Sequence, residues 1–203
     1  MKTKKSNNFS HKFIYNLIVV FFTITFLSGC EKTPEKNTKS GQLIVKVFSS
    51  LTCPHCANFH EKVIVSLKND NSLKNFVKVE HHSFPLDLAA LNAEKILYCS
   101  NTEEKRFDLL TILYKEQRKW ASGSDINDIN MSLKKIGKQF GLKEDGMNSC
   151  LKDEKLQEKI LEKRIEAQKK FKISSTPTIF INKKKYEGKH NYKQFKKEIK
   201  KLL

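Results

Sequence analysis

The sequence predicts an α/β fold: a strand–helix–strand unit, then a helical block of about 85 residues, then a strand–strand–helix unit. Three observations predict it. The apolar run Leu43-Ile44-Val45-Lys46-Val47-Phe48 leads into Cys53-Pro54-His55-Cys56 and a helix-like stretch. The middle of the chain carries apolar residues at intervals of three and four, the spacing of one helix face. A short apolar strand, Ile179-Phe180-Ile181, returns after Thr176-Pro177.

Leu43 to Ser49 reads as a buried strand. Pro54 stands in a first helical turn, where proline has no hydrogen bond to lose. Ala57 to Lys68 continues that helix, with Val63, Ile64 and Leu67 facing inward. Phe76-Val77-Lys78-Val79-Glu80 alternates apolar and polar residues, so it is a second strand and completes a βαβ unit. His81-His82 follows, and is expected to be a solvated strand end rather than a ligand pair or pH switch.

Leu88 to Cys99 and Glu103 to Trp120 are predicted helices, the second with Phe107, Leu110, Leu113 and Tyr114 on one face. Trp120 and the apolar stripes are expected in the core. Ser124 or Asp125 caps a third helix through Ile126, Ile129, Leu133, Ile136 and Phe140, ended by Gly141. Lys143 to Lys170 is helical with a break near Asp153. Thr178 to Asn182 is a strand, Lys183 to Lys185 a turn and Tyr186-Glu187-Gly188 its short partner. Asn191 caps a last helix with Tyr192, Phe195, Ile199 and Leu202 inward.

The N-terminus reads as a targeting segment. Lys2, Lys4, Lys5 and Lys12 precede an uncharged stretch from Phe13 to Leu27, and Leu27-Ser28-Gly29-Cys30 sets small residues before a cysteine. This end resembles a bacterial lipobox, which implies removal of residues 1–29 and lipid on the Cys30 sulfur. An uncleaved anchor, since about 17 apolar residues are the least that span a bilayer, and a free soluble product are the alternatives. All three put the folded part outside the cytoplasm, in the bacterial periplasm or at the outer face of the cytoplasmic membrane. Residues 30–41, polar and containing Pro34, read as a tether, and 42–203 as one domain with a helical insertion at about 87–172.

The net charge of +17 invites a nucleic-acid role, but the composition argues against one. Only Arg106, Arg118 and Arg164 supply guanidinium forks, and the lysines are spread among acids in every segment. A solvated, lysine-rich surface is expected, with attraction to anionic membranes.

With Cys30 assigned to lipid, four cysteines remain, which allow three pairings. The two-residue spacing favours Cys53–Cys56, leaving Cys99–Cys150 as a structural bridge by elimination. At a strand-to-helix junction the helix N–H groups favour Cys53 as a thiolate and make its disulfide reducible. No cofactor is required.

Over roughly Gln42 to Leu203 the chain resembles the DsbA group of extracytoplasmic thiol-disulfide oxidoreductases. Cys-Pro-His-Cys is the tetrapeptide usual there, the helical insertion lies at the matching place, and Thr176-Pro177 falls at the family's cis-proline loop. The resemblance implies a thioredoxin fold with an inserted helical subdomain. It makes Cys53 the exposed attacking sulfur and Cys56 the buried resolving thiol, with His55 donating to, or placing charge near, the Cys53 thiolate. Thr176 and Pro177 would dock an extended substrate beside an apolar groove, although sequence alone favours a trans bond before Pro177. It also implies reduced, unfolded exported proteins as substrates and a membrane quinone-linked oxidase that recharges the disulfide.

One departure stands out. The family often has a buried acid six residues before the first cysteine, where this chain has Val47, leaving Lys46 or solvent to move the Cys56 proton. The competing activity within the fold is isomerase or reductase. Exported isomerases of this type dimerise through an extra N-terminal domain that residues 31–41 are too few to form, so a monomeric oxidase is expected. The reading from another class is a metal-binding or metallochaperone lipoprotein using Cys53, Cys56 and His60. His60 lies one helical turn on, and no second Cys-x-x-Cys closes a zinc site.

Overall fold

Strand β1 (Leu43–Ser49) is the centre of the molecule, flanked on both sides in a four-stranded sheet of order β2-β1-β3-β4. The computed structural model describes residues 41–203; the targeting segment, Cys30 and tether residues 30–40 lie outside the described residues. β2 (Val77–Ser83) pairs parallel to β1, setting Val47 beside His81 and Ser49 beside Ser83. β3 (Thr178–Ile181) pairs antiparallel to β1, and the two-residue β4 (Lys184–Lys185) follows through a tight turn.

The helix after the cysteine motif runs without interruption of its axis in three parts. These are α1 (Pro54–Phe59), a π-helical turn (His60–Ile64) and α2 (Val65–Asn69). The sequence pattern gives no sign of the π turn. It buries His60, whose Nε2 lies 2.8 Å from Thr111 Oγ1. One face of the sheet, with Val45 and Val47, packs on Phe59, Val63, Ile64 and Leu67 and on Phe195 and Ile199 of the last helix, α9 (Tyr192–Leu202). The other face carries Phe48 and Phe180 against Phe84, Ala167 and Ile173.

Between the two sheet halves lie α3 (Leu88–Tyr98), α4 (Glu103–Lys115), α5 (Gln117–Trp120), α6 (Ile126–Gln139), α7 (Glu144–Lys152) and α8 (Glu154–Phe171). They gather around Trp120, Leu109, Leu113, Leu133 and Met147 in a second core that also takes in Cys53 and Cys56. Capping fixes their ends. Asp125 accepts the N–H groups of Asn127 and Asp128 at 2.7 and 3.0 Å, Asp153 that of Leu156 at 2.9 Å, and Asn191 that of Gln194 at 3.0 Å. Gly141, at φ +91, takes the left-handed turn after α6 that a side chain would resist. Cys99 and Cys150 are disulfide-bonded and tie the end of α3 to α7.

The structure corrects four local expectations. The stretch from Glu103 to Trp120 is two helices, parted at Glu116. The partner of β3 is Lys184–Lys185, not Tyr186-Glu187-Gly188. Asn182, at φ +54, turns the chain within two residues, and Tyr186 then packs its ring against Phe195 at 5.0 Å. Leu202 is exposed at the end of α9. His81 and His82 are half-buried and hydrogen-bonded rather than solvated.

The bridge from Cys99 to Cys150 spans a sequence separation of 51, for which loop-closure entropy gives about 4 kcal/mol. A Cys99→Ala/Cys150→Ala variant is expected to lose stability of that order in urea unfolding while still reacting with alkylating agents at Cys53.

Candidate active site

β1 delivers the chain to Ser49, and Ser50-Leu51-Thr52 turns it into the first helix, with Cys53 as N-cap. The extended backbone of Cys53 (φ −80, ψ 116) leaves the first helical N–H groups free to face its own side chain. The Cys56 N–H lies 3.4 Å from Cys53 Sγ. Across the site, the peptide bond between Thr176 and Pro177 is cis, and the Cys53 thiol donates to the Thr176 carbonyl oxygen at 3.5 Å. The chain brings residues 123 positions apart onto one sulfur because β1 and β3 are paired neighbours.

The loop before Cys53 is held from two sides. The Thr52 hydroxyl donates to Asp87 Oδ2 at 2.7 Å, and Asp87 in turn caps α3 through the Ala90 N–H. Gln117 of α5 is buried, and its amide donates to the carbonyl oxygens of Leu51 and Cys53 at 2.6 and 3.1 Å. Both anchors come from the inserted helices.

Cys53 and Cys56 are both thiols here. Cys53 is 7% exposed and Cys56 2%. The attacking sulfur is therefore far less open than expected, though it remains the more accessible of the two. Their electrostatics are opposite. Hydrogen bonding from the Cys56 side chain, with smaller help from Thr176 and the N–H groups of Cys56 and His55, outweighs burial and brings the Cys53 thiol down to about 5. Burial, reinforced by Cys53, pushes Cys56 far above the ordinary thiol range.

The His55 side chain is exposed and, among the described residues, makes no hydrogen bond to Cys53. What the residue offers the sulfur is its backbone N–H. Pro54 is likewise exposed, at the helix start. The Thr176 hydroxyl is buried without a partner in good hydrogen-bond geometry. His60 turns its Nε2 to Thr111 and burial holds it neutral, pushed down to about 3, so it does not complete a ligand set with the two sulfurs. Among the described residues no group of three His, Cys, Asp or Glu side chains is placed to hold a metal ion.

A thioredoxin-type sheet, a dithiol at a helix start and a cis-proline thus meet at one place. A family model described as Thioredoxin matches residues 38–201, and the chain belongs to that family. Its structural neighbours are DsbA-type proteins. Over 82% of this chain and 88% of its own, alpha-DsbA1 of Wolbachia pipientis superposes with a TM-score of 0.73 at 26% identity. A protein-disulfide isomerase from Novosphingobium aromaticivorans shares the fold, with a TM-score of 0.69 at 21% identity over 82% of this chain and 94% of its own. A Rickettsia typhi protein provisionally named a protein-disulfide oxidoreductase is 27% identical over 72% of this chain and 53% of its own. The chain thus spans about half the length of the curated relatives it matches.

Gln117, which holds the cysteine loop, was not singled out by the sequence, since it sits within a helical stripe.

The depressed Cys53 thiol has a thermodynamic sign. A group whose folded value falls below its unfolded one stabilises the folded, reduced protein fully above about pH 8.5, the ordinary thiol value. That contribution is lost as pH falls through about 5. Calorimetry of the two redox forms is expected to show the dithiol form melting above the disulfide form near neutrality, with the gap closing as pH falls toward about 5.

Proposed function

We propose that this protein donates disulfides to reduced, unfolded exported proteins through the Cys53–Cys56 pair. It works as a monomer held to the outer face of the cytoplasmic membrane by lipid on Cys30, with residues 1–29 removed. The observation that carries the reading is the opposite displacement of the two thiols, one down to about 5 and the other up. Each unit by which Cys53 falls stabilises its thiolate by about 1.4 kcal/mol. That corresponds to about 30 mV in a two-electron couple. A dithiol form stabilised in this way makes the disulfide oxidising, and a low-pKa thiol leaves readily, so substrates depart oxidised.

The surface around Cys53 suits unfolded chains. Leu86 and Leu88 are exposed on either side of Asp87, the residue that holds Thr52. They offer apolar contact beside the residue that anchors the loop before Cys53. The oxidised state is restored by a quinone-linked membrane oxidase.

Oxidative refolding of a reduced, denatured test protein decides between the activities. The disulfide form is expected to oxidise it stoichiometrically, and a Cys53→Ser variant to be inert. Repair of scrambled disulfides without net oxidation would make it an isomerase. Alkylation of Cys53 in the dithiol form is expected to be half-maximal near pH 5, about where its thiolate forms. In bacteria, Cys30→Ser is expected to move the protein out of the membrane fraction.

A further inference from the structure

β2 is an edge strand, and among the described residues no strand pairs with its outer side. The parity of its backbone is fixed at both ends. The Phe76 carbonyl oxygen accepts the Leu43 N–H at 2.9 Å, and the Phe84 N–H donates to the Ser49 carbonyl oxygen at 2.9 Å. The even-numbered residues therefore turn their backbone groups to β1. Backbone groups alternate sides along a strand, so those of Val77, Val79, His81 and Ser83 point outward. Among the described residues none of these four meets another backbone group. Such a row is a template for one more strand.

The edge is recessed. It forms the floor of a groove of about 950 Å³, which all seven residues of β2 line. One wall is α4, with Phe107 and Leu110, and the other is α8, with Lys163, Ala167 and Phe171. Walls on both sides keep out the edge of a second sheet but admit a single extended segment.

The two walls differ in chemistry. Val79 shares a face with Val45 and Val47, and Phe107 packs on that same cluster, so the α4 side is apolar. At its rim Lys68 and Arg106 are balanced by Glu103 and Glu104. On the α8 side stand Lys46, Lys78, Lys159, Lys163 and Lys170, against Glu80 and Glu166. Lys78 pairs with Glu80 at 3.2 Å and Lys170 with Glu166 at 3.9 Å. Lys46 and Lys163 lie over the rings of Phe171 and Tyr98, 5.7 and 5.9 Å from their centres. Among the described residues these two and Lys159 have no carboxylate within ion-pair distance, so this wall carries uncompensated positive charge.

A strand laid along β2 points its side chains alternately at these two walls. We propose that the groove takes an extended peptide segment as a fifth strand of the sheet, with apolar side chains toward Phe107 and Leu110 and acidic ones toward Lys46, Lys159 and Lys163. Hydrogen bonds to the outward backbone of Val77, Val79 and His81 hold the segment, and the alternation of its side chains selects it. The site is separate from the dithiol and draws on none of its chemistry.

The test uses the full chain in detergent micelles and a peptide of seven residues, the length of β2, alternating valine and glutamate. A peptide alternating valine and lysine is its control. Amide hydrogen exchange, read residue by residue by NMR, gives the decisive signal. The glutamate peptide is expected to slow exchange at Val77, Val79 and His81 and to leave Lys78, Glu80 and His82, already turned to β1, unchanged. The lysine peptide is expected to bind at least about tenfold more weakly. Val79→Pro removes one outward N–H, a loss an edge strand tolerates, and is expected to abolish the protection. Lys163→Glu alters an exposed side chain and is expected to weaken the glutamate peptide about fivefold, which keeps the question decidable if Val79→Pro fails to fold. Binding without the alternating pattern, equal binding of the two peptides, or no binding overturns the proposal. Slow exchange at Val79 and His81 in the protein alone also overturns it, because the chain itself then covers the edge.

Discussion

The arrangement of the active site turns on one interaction, the donation of the Cys56 amide N–H to the Cys53 sulfur. It requires the two residues to occupy the N-cap and the first turn of one helix, with the amide of the second facing the sulfur of the first. That in turn requires a backbone held still in the three residues before the helix. The protein meets the requirement with side chains from elsewhere: Gln117 on two carbonyl oxygens and Asp87 on the Thr52 hydroxyl. Burial, reinforced by the nearness of Cys53, sets the pair's asymmetry by making the Cys56 anion hard to form, while hydrogen bonding favours the Cys53 anion.

β1 gives the molecule its order because its two faces have different work. Val45 and Val47 join the first and last helices, whereas Phe48 serves the core beneath α8. Ser49, at its end, breaks the apolar pattern and touches His81. The strand thus carries the chain from packing to chemistry within a few residues. Polar groups so near the core persist because each finds a partner on β2 or α3.

Much of this was legible in the sequence, and the reasons differ by element. The cysteine motif declared itself by spacing and by the apolar run before it. The caps at Asp125, Asp153 and Asn191 were readable because an N-cap is a local event, decided by one side chain and the next three amides. What could not be read depends on contacts across the chain. His81 looked like a strand end because nothing in its neighbourhood says that a glutamate thirteen residues on will meet it. That the His55 side chain would be exposed could not be read from its neighbours either. The strand at Tyr186 was misplaced because an alternating segment cannot show that its aromatic ring fills a gap beside Phe195.

Gln117 carries a consequence for how this architecture is divided. Its amide meets the backbone of the cysteine loop from a helix 64 residues downstream, so the inserted block supplies part of the floor on which the dithiol rests. Excising the helices to leave a minimal sheet-and-helix core would strip two carbonyl oxygens of their donor and unroof the sulfurs. The two halves are one functional body, and grafting the tetrapeptide onto a smaller scaffold would transfer the letters of the motif without the support that tunes it.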